Sequence, residues 1–132
     1  MKLMIVDDSM AIRNKIAREN ALVGVTKIVS ARNGKEAVEL FRSIMADVVT
    51  MDLTMPEMDG VECIKELIKL KPDVIILVIS ALADKATAIQ AIHCGARGFL
   101  CKPFNPMQLS DALNKLIRDF KKASDTSSAV KA

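Results

Sequence analysis

The chain reads as an α/β protein, a doubly wound parallel sheet with helices on both faces. Three observations predict this. Apolar runs alternate strictly with helical patterns as far as residue 121. Each run has the length and continuous apolar character of a strand buried on both sides. The 132 residues suit a single domain with a single core.

The elements follow in order. The first strand is 2–6, Lys2-Leu3-Met4-Ile5-Val6, and a helix over 10–21 follows it. The second strand is 26–30. Asn33-Gly34 then caps a helix over 35–45, which turns Val38 and Phe41 inward. The third strand is 47–51, Asp47-Val48-Val49-Thr50-Met51. Met58-Asp59-Gly60 reads as a turn capping the helix 60–70, where Val61, Ile64, Leu67 and Ile68 form the apolar stripe. The fourth strand, 74–79, is the longest apolar run and far too short to span a membrane. The helix 84–94 carries Ala86, Ala88, Ile89, Ala91 and Ile92, a shallow apolar face, and is expected to be the least firmly packed. The fifth strand is 97–101. Asn105-Pro106 is an N-cap followed by proline at the first helical position. The last helix, 106–121, buries Leu109, Leu113, Leu116, Ile117 and Phe120. Residues 1–122 are expected to form the domain. Residues 123–132, all small, polar or charged apart from Val130, are expected to be a disordered tail.

Composition narrows the function. Aromatic residues are only 3%, so aliphatic side chains and the eight methionines must fill the core. A net charge of +3 is too small to argue for nucleic acid or a membrane surface as partner. A strand begins at once, so no signal peptide is expected and the protein reads as cytoplasmic. Cys63, Cys94 and Cys101 form no CxxC pair, and their odd number argues for reduced thiols. His93 reads as a surface or helix-end histidine.

The chemistry lies where strands end. Asp7 and Asp8 follow the first strand, Asp52 follows the third, and Lys102 follows the fifth. Parallel strands bring their carboxyl ends to one edge, so three carboxylates and one ammonium meet there. Two unit charges about 4 Å apart repel by about 4 kcal/mol at an effective dielectric near 20. Such a cluster points to a divalent cation, a phosphoryl group, or both. Asp7-Asp8-Ser9 also sits where a helix needs a cap, but a cap needs one residue and here an acidic pair precedes a serine. Asp52, in Met51-Asp52-Leu53-Thr54-Met55-Pro56, could simply start a turn before proline. It could equally act as a nucleophile toward phosphorus, giving an acyl phosphate. Ser80 ends the fourth strand. Lys102, aimed into an acidic pocket, would supply a point charge to phosphate oxygens.

The order Asp7-Asp8, Asp52, Ser80, Lys102-Pro103 on five alternating units resembles the receiver domain of two-component response regulators, in its single-domain, CheY-like form. The resemblance covers residues 2–121. It implies a flavodoxin-like strand order, 2-1-3-4-5. It implies that Asp52 is phosphorylated, that Asp8 binds Mg²⁺ directly, and that Asp7 holds the metal through water. Thr54 would complete the metal site with its backbone carbonyl. Ser80 would hydrogen-bond the phosphoryl group, Lys102 would pair with one of its oxygens, and Phe99 would be the switch aromatic. A cis peptide is implied at Lys102-Pro103, and Thr54 and Leu82 would flank the path of hydrolytic water. The implied partners are a histidine kinase or phosphotransfer protein as donor, and a target protein. The target would read the face made by helix 84–94, strand 97–101 and helix 106–121. The protein would be a stoichiometric phosphoacceptor and not a turnover enzyme.

Two other readings share parts of this pattern. A haloacid-dehalogenase-like phosphatase also uses an aspartyl-phosphate and a metal, but needs an aspartate two positions after the nucleophile, where this chain has Thr54. A flavin- or nucleotide-binding module would need a phosphate-cradling loop after the first strand, where Asp7-Asp8-Ser9 repels phosphate unless a metal intervenes.

Overall fold

A computed structural model describes residues 1–19, 24–53, 58–81 and 85–131, with the side chains of Glu19 and of residues 120–131 outside the description. Five strands and five helices alternate: β1 (Lys2–Val6), α1 (Met10–Glu19), β2 (Lys27–Ala31), α2 (Gly34–Ile44), β3 (Val48–Met51), α3 (Gly60–Leu70), β4 (Ile75–Ala81), α4 (Lys85–His93), β5 (Gly98–Lys102) and α5 (Pro106–Lys131). Every pairing is parallel, and the sheet order is β2-β1-β3-β4-β5. Element types and order agree with the expectation throughout. Most bounds move by a residue or two, and β4 runs on to Ala81, so Ser80 lies inside the strand.

Alternation along the strands divides the core in two. Met4, Val6, Val49, Met51, Ile76 and Val78 face α2, α3 and α4. Leu3, Ile5, Val48, Ile75, Leu77 and Ile79 face α1 and α5, where Ile16, Phe104, Leu109 and Leu113 meet them. Both faces of the central strands are therefore dry, which is why those runs show no polar alternation.

Side-chain caps set the helix starts. Asn33 Oδ1 accepts from the Glu36 amide at 2.7 Å, and Asp59 Oδ1 from the Glu62 amide at 2.9 Å. Asn105 and Gln108 cap each other reciprocally, at 2.8 and 2.9 Å.

Two expectations change. In α4 only Ala88 and Ala91 are buried, whereas Ile89 is 53% and Ile92 42% exposed. Small residues bring the helix backbone close to the sheet, and the longer side chains are left on its flank. The helix α5 continues to Lys131, through residues 123–131 of the segment for which composition predicts disorder. Phe120, expected on the inner face of α5, lies outside the described side chains.

Candidate functional site

Backbone bonds at the carboxyl edge bring the acidic residues together. The Asp52 amide donates to Val6 O at 2.9 Å and the Asp7 amide to Ala31 O at 3.1 Å, so each ladder runs one residue past its strand. Because β1 and β3 are neighbours, Asp7 and Asp52 lie side by side. This is where the chain reverses its direction of travel across the sheet, and crevices open at such points.

Asp7 and Asp52 are buried, at 1% and 2% exposure, while Asp8 is exposed. One carboxylate oxygen from each of the three lies within 4.8 Å of the others. Lys102, the last residue of β5, reaches across with Nζ 3.0 Å from Asp7 Oδ2 and 3.7 Å from Asp52 Oδ2. One ammonium thus faces two buried carboxylates, and the pocket keeps an excess of negative charge. The donor set is all carboxylate oxygen, which suits a hard divalent cation.

The capping alternative for Asp7-Asp8-Ser9 is resolved by atom. Ser9 Oγ accepts from the Ile12 amide at 3.3 Å, and Asp7 Oδ1 from the Ser9 amide at 2.9 Å. Ser9 is the cap and Asp7 closes the turn, so Asp8 is needed for neither.

Glycine permits the approach of α3. A Cβ on Gly60 would stand 2.5 Å from both Asp52 O and Leu53 Cα. The first turn of α3 therefore rests directly on the chain carrying Asp52, and the Gly60 amide donates to Leu53 O at 3.1 Å.

Ser80 is 1% exposed. It pairs in register with Cys101, as Val78 pairs with Phe99. Residues two apart on a strand share a face, so Ser80 and Phe99 lie on the same side of the sheet. Phe99 packs on the α2–α4 cluster and lines an apolar groove of about 370 Å³ with Lys85, Ala88, Ile89, Ile92 and Cys101. Ile89 and Ile92, expected on the shallow apolar face of this helix, are walls of this groove.

The Lys102–Pro103 peptide is cis. Thr54 and Leu82 lie outside the described residues.

Two residues make contacts that had no sequence signal. Arg13 of α1 donates to Asp7 O at 2.8 Å. Lys15, also on α1, donates to Phe104 O at 2.8 Å and sits 4.8 Å from the Phe104 ring centroid. Spacing alone does not separate either residue from a solvated cation on a helix.

At the opposite edge, burial pushes the Asp47 carboxyl up. The Lys71 hydrogen bond at 2.9 Å, the Lys2 amide and the Lys71 charge outweigh burial and hold it below its ordinary value. Burial, with Glu66 and Asp59 nearby, pushes the Cys63 thiol up to about 12, so it stays protonated and packs as a small apolar group. Among the described residues no helix is long and apolar enough to cross a membrane.

Known proteins share both sequence and fold. The family profile of the response regulator receiver domain matches residues 3–114. Chemotaxis protein CheY of Thermotoga maritima is 42% identical over 115 residues, covering 87% of this chain and 96% of that protein. The CheY of Bacillus subtilis is 36% identical over 116 residues, covering 88% and 97%. A crystal structure of a CheX–CheY–BeF3–Mg complex from Borrelia burgdorferi contains a chain with TM-score 0.82 and 27% identity, covering 89% of each chain. The matched span runs from β1 into α5 and carries Asp7, Asp8, Asp52, Ser80 and Lys102. The chain belongs to the response regulator receiver domain family.

Proposed function

We propose that this protein accepts a phosphoryl group on Asp52 and signals by changing a protein-binding face. The observation that carries the reading is the buried Asp52 carboxylate, with Asp7 and Asp8 oxygens within 4.8 Å and Lys102 Nζ at 3.7 Å. An Asp52 oxygen forms the new O–P bond as the donor's P–N bond breaks. The bonding pair leaves with the imidazole nitrogen of a histidine kinase or phosphotransfer protein. With acetyl phosphate a P–O bond breaks instead, and acetate leaves. Lys102 offers its ammonium to a phosphoryl oxygen. Ser80 offers its hydroxyl to another.

Mg²⁺ fits the three-carboxylate site and, when bound, neutralises charge on the carboxylates and on the phosphoryl oxygens. Both Asp7 oxygens already have partners, Ser9 N–H and Lys102 Nζ. Asp7 therefore suits a role through water, and by family likeness Asp8 and Asp52 are the direct ligands. The Thr54 carbonyl belongs to the same set by family likeness.

The phosphoryl group adds charge and acceptor oxygens at Asp52. A Ser80 hydroxyl drawn toward it leaves space on the face that Phe99 shares. The packing of Phe99 against α4 then shifts between two populations, and a target protein reads α4, β5 and α5. CheX accompanies CheY and Mg in the Borrelia complex, and a partner protein is the counterpart proposed here. The protein acts stoichiometrically in the cytoplasm, with 1–122 as the receiver unit and 123–132 as a tail. A phosphatase of the haloacid-dehalogenase kind is disfavoured because Thr54 stands where its acid–base aspartate belongs.

Intact mass after incubation with acetyl phosphate and Mg²⁺ tests the reading. Wild type should gain one phosphoryl mass and Asp52→Asn none. Equal labelling of the variant would reject Asp52.

A further inference from the structure

We propose that Lys15 is a positioning residue for Lys102, through which α1 braces the loop after β5. The inference rests on the reading of Asp52 as phosphoacceptor. Lys15 Nζ donates to Phe104 O at 2.8 Å and lies 4.8 Å from the centroid of the same residue's ring. It thus grips one residue by its backbone and its side chain. Phe104 is 4% exposed and packs with Ile16, Leu109 and Leu113, so it is anchored between α1 and α5. Only Pro103 separates it from Lys102. Proline fixes its own φ, so displacement of Phe104 passes stiffly to Lys102.

The same helix holds the other side of the pocket. Arg13 donates to Asp7 O at 2.8 Å, and Asp7 Oδ2 meets Lys102 Nζ at 3.0 Å. The chain of contacts closes from Arg13 through Asp7 and Lys102 to Phe104 and Lys15, and both ends stand on α1. Two cations two residues apart therefore set the separation of the loop bearing the carboxylates from the loop bearing the ammonium. Lys102 stands 3.7 Å from Asp52, slightly beyond hydrogen-bonding reach, so small loop displacements change its access to a group on Asp52. Lys15 itself touches none of the three carboxylates in any contact described and acts only through the loop.

A double-mutant cycle on self-phosphorylation tests this. Acetyl phosphate is the donor, because a small molecule needs no docking surface on α1. Initial rates are compared for wild type, Lys15→Met and Lys15→Arg, each with Lys102 intact and with Lys102→Met. Melting temperatures confirm folding. With Lys102 present, Lys15→Met should slow phosphorylation about tenfold, a modest loss for a misplaced reacting group. Lys15→Arg keeps a cationic donor and should recover most of the rate. In the Lys102→Met background, Lys15→Met should cost nothing further, because there is no ammonium left to misplace. A merely structural Lys15 would lower the rate equally in both backgrounds, and that result overturns the proposal. So does a folded Lys15→Met protein with the wild-type rate, or, should Lys15→Met not fold, a folded Lys15→Arg protein with no better rate in the Lys102 background than in the Lys102→Met background. A wild type that takes no phosphoryl group overturns the Asp52 reading, and this inference with it.

Discussion

Replacing Asp8 by asparagine should change stability in opposite directions with and without Mg²⁺. In metal-free buffer the Asp8 carboxylate faces those of Asp7 and Asp52, with oxygens within 4.8 Å. At that distance and an effective dielectric of about 20, each pair repels by about 3.5 kcal/mol before screening. Asp8 is exposed, so water and salt reduce its total share to about 1 kcal/mol. Lys102 does not offset this share, since its partners are Asp7 and Asp52. Asp8→Asn should therefore gain about 1 kcal/mol without metal, or about 3–5 °C in melting temperature for a domain of this size. With Mg²⁺ at about 100 Kd, wild type should gain about 2.7 kcal/mol from the proposed binding to the native state. If loss of the ligand weakens affinity about 100-fold, the variant gains only about 0.4 kcal/mol. The two stability curves must cross as Mg²⁺ rises. Urea unfolding in EDTA and over a Mg²⁺ titration measures both limbs. A variant less stable than wild type in EDTA would refute the repulsion argument. A variant with the full Mg²⁺ increment would remove Asp8 as a ligand.

Three further outcomes are expected. Among the described residues, Thr50 Oγ1 is the buried side-chain polar atom without a hydrogen-bond partner, set on the α1–α5 face of the core. Thr50→Val should raise the urea midpoint by an amount worth about 1 kcal/mol, and a lower midpoint would mean that the hydroxyl is bonded in solution. Gly60→Ala places a Cβ against Asp52 O and Leu53 Cα, so it should destabilise by about 1–3 kcal/mol and slow phosphorylation. Wild-type stability and wild-type labelling in that variant would contradict the close approach. The Asp47 carboxyl is held below its ordinary value of 3.8 in the folded state. Its contribution is therefore present above that value and disappears as pH falls through the folded pKa. The stability gap between wild type and Asp47→Asn should close as pH falls below the ordinary value of 3.8 and on through the lower folded pKa, and a gap independent of pH would reject the Lys71 pair as its source.

Much of the molecule is local, and local features are legible in sequence. Ile75 to Ile79 form a buried strand because the six consecutive apolar residues from Val74 leave no wet face. Asn33, Asp59 and Asn105 mark helix starts because a short polar side chain can reach its own helix's amides. Asp7, Asp52 and Lys102 are recognisable as an edge cluster because parallel strands end on one side, whatever their order. Strand order is not local. Nothing in the bottom-up pattern puts β1 beside β3, and that adjacency sets Asp7 against Asp52. Periodicity shows that α4 has an apolar face, but not how deeply it sits. The small Ala88 and Ala91 let the helix approach the sheet, which turns Ile89 and Ile92 out to the groove beside Phe99. Charge is the least legible property. Lys15 and Lys69 read alike on a helix. One grips Phe104 across 89 residues of chain, and the other makes an exposed pair with Glu66 three residues away. Charge and spacing are equal in the sequence, and only packing decides which ammonium finds a carbonyl in reach.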